Sequence, residues 1–183
     1  DNEPAKIARA LDSGAYGVQV PHVNSVEEAE KAVRAAKFAP QGARGLCRFV
    51  RAAQYSALDR YQYLKMSNEN IMTIVMLEGQ EGIDSLEAIL SVPGIDVIFI
   101  GPYDLSQSLG VTGQVNHPIV VDKVKEITVK ALAKGKVVGS FADTLETAYY
   151  LQELRLQFIA YSTDVGILYE TVSQLVHMLR KRN

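Results

Sequence analysis

Two carboxylates stand just after two consecutive apolar segments of the sequence. Glu78 follows the run 71–77, and Asp104 comes shortly after the run 96–100. Both runs have the length and nearly unbroken apolar character of parallel strands that are buried on both faces. Ligand sites of parallel α/β proteins lie at the carboxyl ends of the strands. If the two strands are neighbours, about 4.8 Å apart, the two carboxylates can converge on one point.

Carboxylate oxygens, completed by water and substrate oxygens, suit a hard divalent cation. We therefore predict that Glu78 and Asp104 bind Mg²⁺ or Mn²⁺, with Co²⁺ as a further candidate. The sequence holds one cysteine and three histidines, and their scatter disfavours a dedicated zinc site. The alternative interpretation is that the two carboxylates are solvated residues at strand ends, one of which caps the following helix.

Three other side chains have reactive or charged groups near predicted turns. Arg44, in a Gly-x-Arg-Gly turn, either contacts an anionic substrate or pairs with a neighbouring carboxylate. His22 follows the first predicted strand, where a structural turn residue is a simpler interpretation than a catalytic one. Cys47 has no evident base partner, which favours a small packing residue over a nucleophile.

Short apolar strands alternate with helical patterns along the whole chain. Strands are predicted at 17–21, 71–77, 96–100, 137–141 and 158–162; helices are predicted at 4–13, 25–37, 49–66, 83–91, 119–134 and 143–154, with a last helix whose apolar stripe is Leu168, Val172, Leu175, Val176 and Leu179. This alternation predicts parallel strands joined by right-handed crossovers. It fits either a doubly wound open sheet or part of a (β/α)8 barrel, although a full barrel usually needs about 250 residues and this chain has 183.

Composition narrows the class of partner. The formal charge is −2, so no basic field is available for nucleic acid or an anionic membrane, and small molecules or other protein chains are the expected partners. A single cysteine cannot form an intramolecular disulfide, which indicates a reducing cytoplasm. No apolar run approaches the roughly 18 residues that a membrane-spanning helix requires.

One string of residues resembles a known family. The string is Phe99-Ile100-Gly101-Pro102-Tyr103-Asp104-Leu105-Ser106, preceded by Leu77-Glu78 and accompanied in order by the segments 11–15, 20–24, 42–45 and 116–118. Together these residues resemble the metal-dependent 2-oxo-acid aldolases of the HpcH/HpaI type, over essentially the whole chain. The Gly-Pro-x-Asp-Leu-Ser string with its upstream glutamate carries most of the resemblance.

The resemblance implies a fold, an activity and a set of roles. The fold is an α/β, (β/α)8 TIM-type barrel, of which this chain shows about five βα units. Glu78 and Asp104 match the two metal-binding carboxylates, and the backbone at Tyr103 and Asp104 matches the turn that holds a substrate carboxylate. Asp12 matches the aspartate that supports a catalytic histidine, and Met76 replaces a substrate-contacting glutamine. The implied reaction is reversible aldol cleavage of a 4-hydroxy-2-oxo acid to pyruvate and an aldehyde, in a homo-oligomer.

The resemblance begins at the third helix of the family barrel. Residues 1–183 are therefore expected to form one barrel domain that lacks the first three strands, which carry the catalytic histidine and a substrate arginine in the family. Two alternatives follow from this. One is a related carbon–carbon lyase that acts on an acyl-CoA thioester, and the other is an inactive relic or interaction subunit.

Overall fold

The computed structural model describes residues 1–181, which form five strands with helices between them. The strands are β1 (Gly17–Val20), β2 (Met72–Leu77), β3 (Val97–Ile100), β4 (Val137–Ala142) and β5 (Phe158–Tyr161). The helices are α1 (Pro4–Asp12), α2 (Val26–Ala36), α3 (Arg60–Asn70), α4 (Gln80–Asp84), α5 (Leu86–Leu90), α6 (Pro102–Ser108), α7 (Pro118–Ala133), α8 (Leu145–Glu153) and α9 (Asp164–Arg180), and a 3₁₀ helix spans Arg51–Ser56. All five predicted strands are confirmed to within about two residues at their ends.

The strands form one parallel sheet in the order β1-β2-β3-β4-β5. Strand order therefore equals chain order, whereas a doubly wound sheet reverses direction at a switch point. This sequential, curled arrangement is that of a half-barrel, consistent with part of a TIM-type barrel. Within residues 1–181 the sheet has two free edges, so the complete (β/α)8 closure that we predicted is not shown.

Both faces of the central strands are buried, which explains their continuous apolar sequences. One face packs against the surrounding helices through side chains such as Val75, Ile98 and Ile100. The other face carries a separate cluster that includes Ile74, Val97 and Phe99. Because every strand is parallel, the carboxyl ends of all five lie at the same edge of the sheet.

Two predicted helices differ from the structure, and one observed helix was not predicted. The helix predicted at 49–66 is wrong: left-handed backbone at Gln54 and Tyr55 interrupts the chain, and Asp59 caps a new helix by accepting hydrogen bonds from the N–H groups of Tyr61 and Gln62. The helix predicted at 83–91 is two short helices, α4 and α5, that meet at Ser85. Helix α6 was missed, although Pro102 occupies its first turn, a favoured position for proline.

Helix α9 was predicted correctly, but it packs against little of the described chain. It has no buried residue, and its apolar stripe is exposed; for example, Leu168 is 66% and Leu179 67% exposed. Cys47 is also exposed, so its interpretation as a packing residue is wrong. No helix within residues 1–181 combines the length and apolarity needed to cross a membrane.

Candidate active site

The structure brings Glu78 and Asp104 together at the carboxyl edge of the sheet, as the strand positions predicted. Glu78 follows β2 and is buried, with 4% of its surface exposed, while Asp104 lies in the first turn of α6, just beyond β3. Burial raises the pKa of the Glu78 carboxyl, and the nearby Asp104 carboxylate raises it further. Two carboxylates thus share a small space with no cationic lysine or arginine paired to either one among residues 1–181.

Gly101 provides the space beside the Glu78 carboxylate. A Cβ atom at Gly101 would lie 2.5 Å from Glu78 Oε2, so any other residue would collide with that oxygen. The φ of Gly101 is −85°, which any residue can adopt, so the glycine is needed for space and not for its conformation. Sequence reasoning had not singled out this residue, although its place between a buried strand and Pro102 was a usable signal.

The donor set fits a hard divalent cation. Both groups are oxygen donors, one is buried and carries an unfavourable charge that a cation would stabilise, and Gly101 leaves one oxygen open. No cluster of three or more histidine, cysteine, aspartate or glutamate side chains suited to a metal occurs among the described residues. A cation at this position would thus take its remaining ligands from water or substrate, which is usual for Mg²⁺.

The two carboxylates line an open cavity of about 380 Å³, a volume typical of small-ligand sites. Its wall is largely apolar and includes Met76, Phe99 and Phe141. Tyr103 borders the cavity, and its hydroxyl donates a hydrogen bond of 2.6 Å to Asp143 Oδ2, in the loop after β4. This hydrogen bond raises the pKa of Tyr103 and restricts the motion of its side chain. The predicted helix 143–154 begins slightly later, at Leu145, and its N-cap is Thr144, so Asp143 is left to pair with Tyr103.

Arg44 and Asp12 form a second charged cluster that does not line this cavity. The Arg44 side chain is fully buried, its Nη2 donates to Asp12 Oδ1 at 2.5 Å, and it contacts the Tyr63 hydroxyl at 3.3 Å. The guanidinium also stacks over the ring of Phe38, 4.6 Å from its centre. Of the two interpretations of Arg44, the structure shows the ion pair with a neighbouring carboxylate.

His22 contacts the site, although sequence reasoning had favoured a purely structural turn. Its Nδ1 lies 2.9 Å from Glu78 Oε1, and its backbone N–H donates to the same oxygen at 2.9 Å. The loop that carries it is fixed by the start of α2. There, Ser25 accepts a hydrogen bond from the Glu28 N–H, and the Glu28 carboxylate accepts one from the Asn24 N–H, which fixes the start of the helix.

A parallel α/β half-barrel with a carboxylate pair at its strand ends defines a class of enzyme that binds small ligands at that edge. Comparison with known proteins narrows the class. The family model described as HpcH/HpaI aldolase/citrate lyase matches residues 1–170. The chain is 36% identical to the 5-keto-4-deoxy-D-glucarate aldolase of Shigella boydii serotype 18 (strain CDC 3083-94 / BS512) over 180 residues, which cover 98% of this chain and 69% of the relative.

Solved structures show the same relationship. A HpcH/HpaI aldolase/citrate lyase family protein from Burkholderia cenocepacia J2315 superposes with a TM-score of 0.91 at 34% identity, covering 98% of this chain and 70% of that one. The HpcH/HpaI aldolase from Desulfitobacterium hafniense DCB-2 gives a TM-score of 0.89 at 29% identity, covering 97% and 69%. The chain belongs to the HpcH/HpaI aldolase/citrate lyase family, as its sequence motifs indicated, and it is a carbon–carbon lyase.

Proposed function

We propose that this protein is a metal-dependent aldolase that reversibly cleaves a 4-hydroxy-2-oxo acid to pyruvate and an aldehyde. The observation that carries the proposal is the buried Glu78 carboxylate beside Asp104, in a cavity where Gly101 leaves one carboxylate oxygen open. The names of the 5-keto-4-deoxy-D-glucarate aldolases support aldol chemistry and make that compound the first substrate to test. The preferred cation in this proposal is Mg²⁺ or Mn²⁺, with Co²⁺ as a further candidate.

In the proposal, Glu78 and Asp104 hold the cation. A divalent cation in this position supplies Lewis acidity toward the 2-oxo group of a bound substrate. The substrate carboxylate binds the backbone N–H groups of Tyr103 and Asp104, in the first turn of α6. No side-chain cap hydrogen bond is found at the start of that helix within residues 1–181, so these donors have no capping partner there.

The apolar wall of the cavity orients the rest of the substrate. Met76 occupies β2 two residues before Glu78 and lines the cavity with Phe99 and Phe141. These side chains offer no hydrogen bond to a substrate hydroxyl, so they exclude water from the reacting carbon atoms and leave polar recognition to the cavity mouth. Besides the two carboxylates, the polar residues that line the cavity are Gln19, His22 and Tyr103.

In the proposal, Asp12 supports the basicity of a general base that is not among residues 1–183, and Arg44 acts by holding Asp12. The fully buried guanidinium fixes the Asp12 carboxylate at 2.5 Å, while 27% of the Asp12 side chain remains exposed and can accept a second partner. Arg44 Nε and Nη1 are buried without a partner among the described residues, so the cluster has donors to spare for a further acceptor. Arg44 therefore affects substrate only indirectly.

A lyase acting on an acyl-CoA thioester is the second candidate, and the family name includes citrate lyases. Such an enzyme needs basic side chains at the cavity entrance for the CoA phosphates. The described lining contains neither lysine nor arginine, so the geometry favours the smaller 2-oxo acid.

Three further parts of the proposal concern assembly, location and domain organisation. The exposed apolar stripe of α9 packs against another copy of the chain, which makes the protein a homo-oligomer. The protein works in the cytoplasm, where the free, exposed thiol of Cys47 stays reduced. In this proposal, residues 1–183 belong to a single barrel-type domain.

The test is proton NMR of pyruvate in D₂O with the protein, with added Mg²⁺ or Mn²⁺ or with chelator. Loss of the methyl signal reports proton exchange at the carbon that forms the new bond. We expect metal-dependent exchange that disappears in Glu78→Gln and persists in Glu69→Gln, an exposed carboxylate on α3. No exchange with any metal would overturn the aldolase proposal and favour the thioester lyase or the relic. Thioester cleavage without pyruvate exchange would select the lyase.

A further inference from the structure

His22 makes two contacts with one oxygen of Glu78. Its backbone N–H donates to Oε1 at 2.9 Å, and its imidazole Nδ1 lies 2.9 Å from the same atom. With a proton on Nδ1 the ring donates a second hydrogen bond to Oε1. A carboxylate held twice at one oxygen cannot turn freely about its last bond.

The backbone at His22 is what aims both groups at Glu78. Its φ is 54°, in the left-handed region that non-glycine residues seldom adopt. The residue is held there by its neighbours, because the Val23 N–H donates to the Met76 carbonyl and the buried Val23 side chain anchors the loop. An unusual backbone conformation that surrounding contacts impose is typical of functional sites.

The second oxygen of Glu78 lies in a different environment. Oε2 faces the Cα of Gly101, where a Cβ would come within 2.5 Å of it. Asp104 approaches the same carboxyl group. Oε1 is therefore already engaged by His22, while Oε2 is the oxygen that has room for a further partner.

We propose that His22 is a positioning residue that holds Glu78 Oε1 so that only Oε2 is presented to the divalent cation. This inference rests on the cation site of the proposed function. His22 itself is not a ligand in this arrangement, because its Nδ1 is engaged with Glu78 and the described residues form no group of three metal-binding side chains. The role explains why a histidine occupies a strained turn in which 69% of its side chain is exposed.

The test is Mn²⁺ binding to the full chain, measured by electron paramagnetic resonance. His22→Gly suits the left-handed backbone and keeps the N–H donor, but it removes the imidazole. Because one of the two contacts remains, we expect Mn²⁺ affinity to fall about 10-fold, at the lower end of the range for partners of metal ligands. His22→Asn, which tolerates the same backbone and retains a side-chain donor, should recover part of that loss.

Arg155→Gly is the matched control. Arg155 also has left-handed backbone, with φ of 66°, but it precedes β5 and so lies at the opposite edge of the sheet from the site. The Arg155→Gly variant should bind Mn²⁺ with the same affinity as the wild type. Thermal unfolding of all variants without metal shows whether each one is folded, and we expect the His22 variants to match the wild type closely.

Spectroscopy separates a positioning role from direct ligation. Electron spin echo envelope modulation of bound Mn²⁺ should show no directly coordinated nitrogen in the wild type. A coordinated nitrogen that disappears in His22→Gly would overturn the proposal, as would wild-type affinity in His22→Gly. If Glu78→Gln binds Mn²⁺ as tightly as the wild type, the proposed cation site itself fails, whatever His22 does.

Discussion

The molecule buries charge in two places, and the two differ in how that charge is balanced. At Arg44 a fully buried guanidinium meets the Asp12 carboxylate at 2.5 Å and contacts Tyr63 and Phe38. At Glu78 a buried carboxylate meets a second carboxylate, and its pKa is raised. Buried charges normally persist in proteins because they are paired or bind a metal. The charge of the first cluster is therefore balanced by an ion pair, and we propose that the charge of the second is balanced by a bound cation.

Asp12→Ala should have the largest effect on stability. It leaves the fully buried Arg44 side chain without its counter-charge, and breaking a buried pair in this way costs about 3–5 kcal/mol. Arg44→Met should cost less, about 1–2 kcal/mol, because the Asp12 side chain that remains is partly exposed and can be hydrated. Urea unfolding measures both free energies. The opposite order would mean that water reaches Arg44 and that the ion pair is not buried.

The Gly101→Ala substitution should fill the space beside Oε2 of the Glu78 carboxylate. The added Cβ would lie 2.5 Å from Oε2, so we expect Mn²⁺ affinity to fall about 100-fold while the fold is retained. Isothermal titration calorimetry measures the affinity. Gly45→Ala is the matched control, since nothing lies within 4 Å of a Cβ at that position. Equal loss in both variants would contradict the account.

Tyr63→Phe tests the smaller contribution within the paired cluster. The hydroxyl contacts Arg44 Nη2 at 3.3 Å, and burial raises its pKa. Removal of one such hydrogen bond should cost about 1 kcal/mol by urea unfolding, because Arg44 keeps its ion pair with Asp12. The Tyr61→Phe substitution, at an exposed position in the same helix, should leave the free energy of unfolding unchanged. A loss of several kcal/mol in Tyr63→Phe would show that the hydroxyl and not Asp12 balances the guanidinium.

Glu78→Gln should have the smallest effect on stability, in contrast to Asp12→Ala. A raised pKa means that the folded chain disfavours the ionised form, so the protonated group stabilises the fold and this contribution is lost as the pH rises through the raised pKa. In chelator at pH 7, the free energy of unfolding of Glu78→Gln should therefore equal or slightly exceed that of the wild type. On lowering the pH, the wild type should gain relative to the variant. A loss of about 3 kcal/mol at pH 7 would indicate a cation or donor set that already balances the charge.

The strands of the sheet could be predicted because the sequence pattern that marks each strand is local. Continuous apolar runs such as 71–77 and abrupt polar residues such as Glu78 mark buried strands and their ends without reference to the rest of the chain. The doubly wound and barrel topologies could not be distinguished from the pattern of strands and helices, since both alternate in the same way. Strand order decides between them, and it depends on long-range pairing that the sequence pattern does not contain.

The site was predictable in its charged residues but not in its geometry. Glu78 and Asp104 could be identified by residue type and position. Gly101 contributes to the site because it has no side chain, and His22 contributes because of its unusual φ. Local propensity carries little signal for either. The prediction of a helix at 49–66 was wrong for a similar reason. Left-handed backbone at Gln54 and Tyr55 breaks a helix that the residue types alone permit.

Anomalous diffraction from crystals soaked in Mn²⁺ tests the central claim most directly. We predict one strong anomalous peak between Glu78 and Asp104, within bonding distance of Glu78 Oε2 and not of His22, and no peak at the Asp12 and Arg44 pair. The same peak should be absent from crystals of Glu78→Gln. A wild-type map with no peak at these carboxylates, under soaking conditions that load Mn²⁺ elsewhere on the protein, would contradict the account.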